Sequence, residues 1–371
     1  MRILIASDKF KGSLSAVDAN RAIAKGLKDG AGRVLEINST SIADGGDGLV
    51  QTLVSATGGT TDHIEVTGPL GSPTKAVIGY LPDEKTAVIE MAEASGIALL
   101  KGAKLNPEIA STFGTGEMIL KVCEKGVSRI IMGLGGSATN DGGVGMALAL
   151  GFQFLDSKSN PLVNLPRDLL KVSSIKPPED LSLPEIIIAC DVTNPLLGPN
   201  GCTKIYGPQK GVTRWKRRRH EKRLSHLTSL FGGAGKIAAN TPGAGAAGGL
   251  GFGSLIFLKG RLTPGFDLVA DILDLENAVK TADFVITGEG KLDDQSLLGK
   301  GPGGVAHMAR RFNKPVIAFC GIADLSGETQ LFDEIIDIRP PFSTHEDNMR
   351  EASRILTDAA KKYAEENLSD N

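Results

Sequence analysis

The sequence predicts an α/β protein of two domains: a doubly wound parallel sheet of Rossmann or flavodoxin type, and a mixed α/β domain inserted into it. Three observations predict it. Short apolar runs alternate with helix-spaced stretches at both ends of the chain, the pattern of parallel strands joined by crossover helices. Between them, from about Thr60 to Met91, the pattern changes to short β-type runs divided by turn sequences. The third observation is glycine: 47 of 371 residues, about 13% against a usual ~7%. These glycines cluster at 45–48, 133–145, 243–253 and 288–304, three of the four clusters lying beside acidic, hydroxyl or Lys residues. Such loops let backbone N–H groups approach an anion. At roughly 150 residues per domain the length also suggests two domains.

The elements follow in order. Arg2-Ile-Leu-Ile-Ala6 is a buried parallel strand, followed by the polar loop Ser7 to Ser13. Ser15 with Asp18 opens a helix whose Ala19, Ile23 and Leu27 share one face, and Gly30 and Gly32 close it. Val34 to Thr40 is a second strand and Leu49 to Ala56 a short helix. Ile64-Glu-Val66, Lys75 to Tyr80 and Thr86 to Met91 form an antiparallel meander, split by Gly68-Pro-Leu-Gly71 and Pro82-Asp83. A helix over Gly116 to Gly126 precedes the strand Ser128 to Met132, and Glu185 to Cys190 is another strand. Near the C-terminus, Ala282 to Thr287, Pro315 to Cys320 and Glu334 to Arg339 are strands. Helices cover Gly304 to Phe312 and, as one long segment, Glu346 to Glu366. If both ends pair in one sheet, residues 1–65 and 275–371 form the doubly wound domain and 66–274 the insertion, with the active site in the cleft between them.

Composition excludes several functions. Lys plus Arg is 41 and Asp plus Glu 43, so no basic field marks a nucleic-acid binder. The basic run Trp215 to Arg223, with Lys216 its first cation, reads as a solvated helix face. The four Cys lie far apart without a CxxC pair, which suits reduced thiols in the cytoplasm rather than a zinc site or disulfide frame. The opening MRILIASDKFKGS lacks the apolar core of a signal peptide, and no run approaches the roughly 18 apolar residues of a membrane span.

Six loops carry candidate chemistry. Ser7 to Ser13 follows the first strand's carboxyl end, where open sheets bind ligands, and presents Lys9 and Lys11 to a phosphate or carboxylate. Ala43-Asp-Gly-Gly-Asp-Gly48 places Asp44 and Asp47 on a glycine turn, able to hold a divalent metal or accept a hydroxyl proton. It reads equally as a plain Asp-Gly turn. Gly133-Leu-Gly-Gly-Ser-Ala-Thr-Asn-Asp-Gly-Gly-Val-Gly145 can wrap phosphate with main-chain N–H groups from Gly135 and Gly136, helped by Ser137 and Thr139. Asp191-Val-Thr-Asn-Pro-Leu-Leu-Gly198 puts a carboxylate at a strand end, for a base, a metal ligand or a simple Asx turn before Pro195. Gly243 to Gly253 has no charged group and favours close packing. Thr287-Gly-Glu-Gly-Lys-Leu-Asp-Asp-Gln-Ser296 leads to Lys300 and a glycine-rich helix entry; Glu289, Asp293 and the lysines are an inventory for Mg²⁺, phosphate and transition-state charge. No G-x-x-x-x-G-K-[ST], H-R-D, G-x-S-x-G or H-E-x-x-H occurs. The residues alone therefore reach an α/β enzyme handling phosphate and Mg²⁺, most simply a small-molecule phosphotransferase.

Six ordered motifs resemble the type I bacterial glycerate kinases: Asp8-Lys-Phe-Lys-Gly-Ser-Leu-Ser15, Ile42 to Gly48, Ser111-Thr-Phe-Gly-Thr-Gly-Glu117, Gly133 to Gly143, Asp191 to Gly198 and Thr287 to Ser296. Lys9 stands where Ser is usual and Asp47 where Glu is common, and the region 214–229 is more basic than the family pattern. The resemblance implies two α/β domains and ATP-dependent phosphorylation of D-glycerate with Mg²⁺, giving 2- or 3-phosphoglycerate and ADP. It implies small-molecule partners, with no nucleic acid and no membrane. The resemblance assigns no catalytic roles; from the residues themselves, a carboxylate after a strand being placed to aim into the cleft, Asp191 is the expected base or hydroxyl orienter, Asp44 a substrate or Mg²⁺ ligand, and Lys300 the charge stabiliser. Asp8, Lys11, Ser13 and Asn194 are expected on glycerate, Gly135, Gly136, Ser137, Thr139 and Gly290 on ATP, and Asp293, Glu289 and Asp47 on Mg²⁺. The rival readings are a kinase for another hydroxy or sugar acid, and a nucleotide or metabolite sensor.

Overall fold

A computed structural model describes the chain except residues 44, 47, 101–104, 300, 328, 341–343 and 369–371, and the side chain of Leu298. Its contacts divide into two units, Met1–Asp44 with Phe266–Asn371, and Gly45–Gly265. These limits differ from the expected 65/66 and 274/275 for a packing reason. The helix Leu49–Thr57 and the strand Thr60–Thr67 pack and pair with Pro73–Tyr80 in the second unit. At the other limit Gly265–Ile272 sends Phe266 and Ala270 into the first unit's core.

The first unit is built on an all-parallel five-stranded sheet, in the order Glu334–Asp337, Val316–Asp324, Phe284–Asp293, Arg2–Ser7, Glu36–Ser39. Alternate side chains go to opposite faces. Ile3, Ile5, Phe284, Ile286, Ile317 and Phe319 meet the helices Ala16–Gly30 and Ala352–Asn367. Leu4, Ala6, Val285, Val316, Ala318 and Cys320 meet Gly265–Ile272, Leu275–Thr281 and Gly301–Arg311. Both faces are covered, which is why these strands read as continuous apolar runs. The Ser15 hydroxyl caps Ala16–Gly30 by accepting from the Asp18 N–H at 3.1 Å. Gly26 and Gly30 let that helix touch Ala352–Asn367, since a Cβ at either would run into the carbonyl of Thr357 or Lys361.

Three elements depart from the sequence reading. The second strand starts at Glu36, where pairing with Arg2 begins, and leaves Val34 outside the sheet and 90% exposed. The strand beginning near Ala282 does not stop at Thr287 but runs to Asp293, pairing as far as Asp293 with Asp324. The Gly-Glu-Gly-Lys segment reads as a loop from composition, yet backbone pairing to Val316–Asp324 holds it in the sheet. A Cβ at Gly290 would stand 3.0 Å from the Lys11 nitrogen, a tight contact that glycine avoids where the loop crosses. The long terminal helix is two, His345–Arg350 and Ala352–Asn367, broken at Glu351; the first buries none of its residues, while Ile355, Leu356 and Ala360 anchor the second.

The second unit holds a six-stranded mixed sheet, ordered Arg261–Thr263, Glu185–Ala189, Arg129–Gly133, Thr86–Glu90, Pro73–Tyr80, Thr60–Thr67. The last three form the expected antiparallel meander and the first four are parallel. A ribbon of Gln153–Leu155 and Ser174–Lys176 lies apart from that sheet. The helix expected from Gly116 begins at Phe113. Gly243 to Gly253 is packing, as its lack of charge suggested. Ala247, Gly248 and Gly249 have φ of 52°, 67° and 91°, and Cβ atoms at Gly249 and Gly253 would stand 2.9 and 2.8 Å from Gly142 and Gly143 Cα. Among the described residues no helix is long and apolar enough to cross a membrane.

Candidate active site

The loop after the first strand lies over the carboxyl ends of the parallel strands. Asp8 is 9% exposed; its N–H donates to Gly288 O at 2.8 Å and its Oδ1 accepts from the Lys9 N–H at 2.6 Å. A Cβ on Gly301 would stand 3.3 Å from Asp8 Oδ2, so this carboxylate faces the N-terminus of Gly301–Arg311, the end that favours an anion. Ser13 Oγ donates to Phe10 O at 3.0 Å. Beside this loop a cavity of about 260 Å³ brings together Lys11, Ser13 and Gly290, with Phe10, Arg339 and Asn348. Lys291, also on the rim, is paired with Asp324 at 2.7 Å, and Arg339 with Asp337. Lys11 has no carboxylate within ion-pair distance among the described residues.

The acidic segment lies on the strand that passes under this loop. Glu289 is half-buried in register with Cys320. Asp293 is turned to local work: Oδ1 accepts from the Gln295 N–H at 3.0 Å and Lys291 Nζ lies 3.7 Å from Oδ2. Asp44, Asp47 and Lys300 lie outside the described residues. Among the described residues no three His, Cys, Asp or Glu converge as a metal site. That is compatible with Mg²⁺, which takes one or two carboxylates and fills its octahedron with phosphate oxygens and water.

In the second unit the glycine loop is mostly interior. Asp141 is fully buried and ties it to the Ser111–Thr112 turn: Oδ2 accepts from Thr112 N–H and Oγ1, both at 2.8 Å, and from Gly145 N–H at 3.2 Å. Oδ1 accepts from Gly143 N–H at 3.1 Å. Burial pushes the Asp141 pKa up against the pull of these four donors. Thr139 is sealed, its hydroxyl 3.4 Å from Ala247 O, and Ser137 Oγ accepts from Lys210 Nζ at 2.6 Å. Only Gly135 and Gly136 reach the surface, Gly136 with φ of 66°. Lys210, 2% exposed, also donates to Thr139 O at 2.9 Å, and burial pushes its pKa down to about 8.

The other two candidates in this unit are held by the protein. Asp191, half-buried just past Glu185–Ala189, accepts the Gly265 N–H at 2.9 Å through Oδ1. Asn194 uses both amide atoms internally: Oδ1 accepts from Tyr206 OH at 2.6 Å and Nδ2 donates to Asn200 O at 2.8 Å.

Sequence reasoning missed three sets of residues. Lys210 is one lysine in a polar stretch and carried no signal. Glu90 is 7% exposed and accepts Gly48 N–H at 2.9 Å and Val50 N–H at 2.8 Å, capping Leu49–Thr57 from another strand. Its position at the end of an apolar strand was the available signal. Within the basic run, on the helix Arg214–Ser229, Trp215 is 90% exposed as expected, but His220 and Arg223 are buried against Glu108 at 3.1 and 2.8 Å. Burial lowers the His220 pKa to about 4, which leaves it neutral.

The sequence model of the Glycerate kinase family matches residues 3–367. The chain belongs to the glycerate kinase family. Among relatives, a glycerate kinase of Halalkalibacterium halodurans is 41% identical over 98% of this chain and 97% of its own length. A glycerate 2-kinase of Escherichia coli K12 is 42% identical over 86% of this chain and 85% of its own. The crystal structure of a glycerate kinase 2 from Salmonella typhimurium LT2 superposes with a TM-score of 0.86 at 38% identity, covering 98% of this chain and 97% of that one. The mixed α/β architecture is therefore that of a glycerate kinase, and the protein is a phosphotransferase enzyme.

Proposed function

We propose that this glycerate kinase transfers the γ-phosphoryl of ATP to the 2-hydroxyl of D-glycerate, with Mg²⁺ and in the cytoplasm. The observation that carries the acceptor side is the cavity of about 260 Å³ holding Lys11, Ser13 and Gly290 at the carboxyl end of the parallel sheet. Glycerate offers one carboxylate and two hydroxyls, and Lys11, without an ion-pair partner among the described residues, supplies a cation for the first. The 2-position follows the name of the Escherichia coli relative, a glycerate 2-kinase. Asp8 faces a helix N-terminus beside this loop and supports hydroxyl binding.

On the donor side, Gly135 and Gly136 are the exposed part of the glycine loop and would meet the phosphates through backbone N–H groups. Ser137 and Thr139 hold that turn from inside rather than touching the ligand. Bound Mg²⁺ would supply positive charge to the phosphates, and Asp293 and Glu289 are the described carboxylates that would hold it. Asp191 orients the acceptor hydroxyl and takes its proton as the new bond to phosphorus forms. Asp44, Asp47 and Lys300 keep their assigned parts as substrate, metal and charge-stabilising groups, and Asn194 supports the Asp191 loop. Coupled ADP release with a panel of small hydroxy acids tests the substrate, and phosphorus NMR of the product tests the position. Turnover greatest on another acid, or a 3-phosphorylated product, overturns the corresponding part.

A further inference from the structure

The second unit carries a cleft that these roles leave unused. It has a volume of about 460 Å³, within the range of roughly 300–1,000 Å³ typical of small-molecule sites, and runs from Gly48 to Gly136. Val50, Val77, Ala92, Ile97, Ala98 and Leu99 make its walls apolar. Leu99 is 39% exposed, a large apolar side chain left at the surface of this wall. The polar groups at its edge are Gln51, Glu90 and Glu93, two of them carboxylates. Glu93 is fixed by accepting the Val77 N–H at 3.1 Å, and Glu90 by the Gly48 and Val50 N–H groups.

One end of the cleft is joined to the glycine loop. Ile97 N–H donates to Gly136 O at 2.8 Å and Ala138 N–H to Ser95 O at 2.9 Å, so the apolar wall and the exposed glycine turn are one piece. The charge along this arrangement is one-directional. The interior is apolar and acid-edged, which disfavours a carboxylate or phosphate. The glycine end offers backbone N–H groups. A ligand seated here has a flat, neutral, largely apolar part with hydrogen-bonding edges, and an anionic part leaving past Gly136.

We infer that this cleft seats the base of the nucleoside triphosphate donor, with Ala98 and Leu99 against the ring and the phosphates leaving over Gly135 and Gly136. The inference rests on the reading that the donor is a nucleoside triphosphate. Two experiments test it, each on the full-length enzyme. Ala98→Trp fills the cleft from an exposed position; it should raise the Michaelis constant for ATP about ten-fold or more, some 1.4 kcal/mol of binding, and leave that for glycerate unchanged. Photolabelling with 8-azidoadenosine triphosphate should mark the peptide spanning residues 90–99 and be blocked by excess ATP. Wild-type enzyme without ATP-dependent turnover overturns the donor reading itself. An active wild type with Ala98→Trp unchanged for ATP, or with the label elsewhere, overturns the cleft assignment alone.

Discussion

Replacing Lys210 by Met removes a buried cation while keeping most of its apolar stem. The wild-type ammonium is 2% exposed and donates to Ser137 Oγ at 2.6 Å and Thr139 O at 2.9 Å. Burial lowers its pKa from the ordinary 10.5 to about 8, with Cys202 and Asp141 pulling the other way. Below pH 8 the folded and unfolded chains are both protonated, and the cost of burying the charge is present in full. Between about pH 8 and 10.5 the unfolded chain holds more protons than the folded one, so this group's contribution to stability rises with pH. At ~1.36 kcal/mol per pH unit the whole interval is worth about 3 kcal/mol, of which about 2 kcal/mol has been recovered by about pH 9.5. Near pH 7 the variant loses two hydrogen bonds but also the desolvation cost, so the two proteins should agree to within ~1–2 kcal/mol. Urea unfolding of wild type and Lys210→Met in parallel, followed by circular dichroism, cancels every other titration. Wild type should gain about 2 kcal/mol on the variant between about pH 7 and 9.5. Parallel stability profiles would refute a buried, charged Lys210.

Three further perturbations address the reaction. Lys11→Ala should raise the Michaelis constant for glycerate much more than that for ATP, and an unchanged glycerate constant removes Lys11 from the acceptor site. Gly136→Val puts a branched residue at φ of 66°, a strain of roughly 1–2 kcal/mol; it should weaken ATP binding in calorimetry while the protein stays folded, and unfolding instead would make the turn structural. Asp191→Asn retains an oxygen for the Gly265 N–H, so the fold should survive while turnover falls ~10²-fold or more with both Michaelis constants little changed. Near wild-type turnover would take Asp191 out of the chemistry.

The doubly wound sheet was legible because strands covered on both faces carry mostly apolar side chains, so Ile3 to Ala6 and Val316 to Cys320 stand out as apolar runs. The meander was legible from its turns, and the first helix from Ser15. What composition hid was glycine's double use. In Gly133 to Gly145 the same residues that suggest a phosphate cradle mostly serve close packing around Asp141, leaving two at the surface. The strand through Glu289 has the composition of a loop, because pairing partners, not side-chain polarity, decide whether polar residues join a sheet. Lys210, Glu90 and Arg223 are single charges drawn inward by partners distant in sequence, and no local pattern encodes such a partner.

The way both ends of the chain close one sheet also sets a schedule for synthesis. Arg2–Ser7 leaves the ribosome with Glu36–Ser39 soon behind it, but its other neighbour, Phe284–Asp293, is about 280 residues away. At ~5–20 residues per second that partner is roughly 15–55 s late. Gly45–Gly265, contiguous in sequence, can complete its own core in the interval. Meanwhile the helix Ala16–Gly30 has nothing to lay its Gly26 and Gly30 notch against until Ala352–Asn367, more than 320 residues later, arrives. For that interval a nascent strand carrying Ile3, Leu4 and Ile5 is an unpaired edge, the kind of surface that chaperones shield and that crowded ribosomes turn into aggregates.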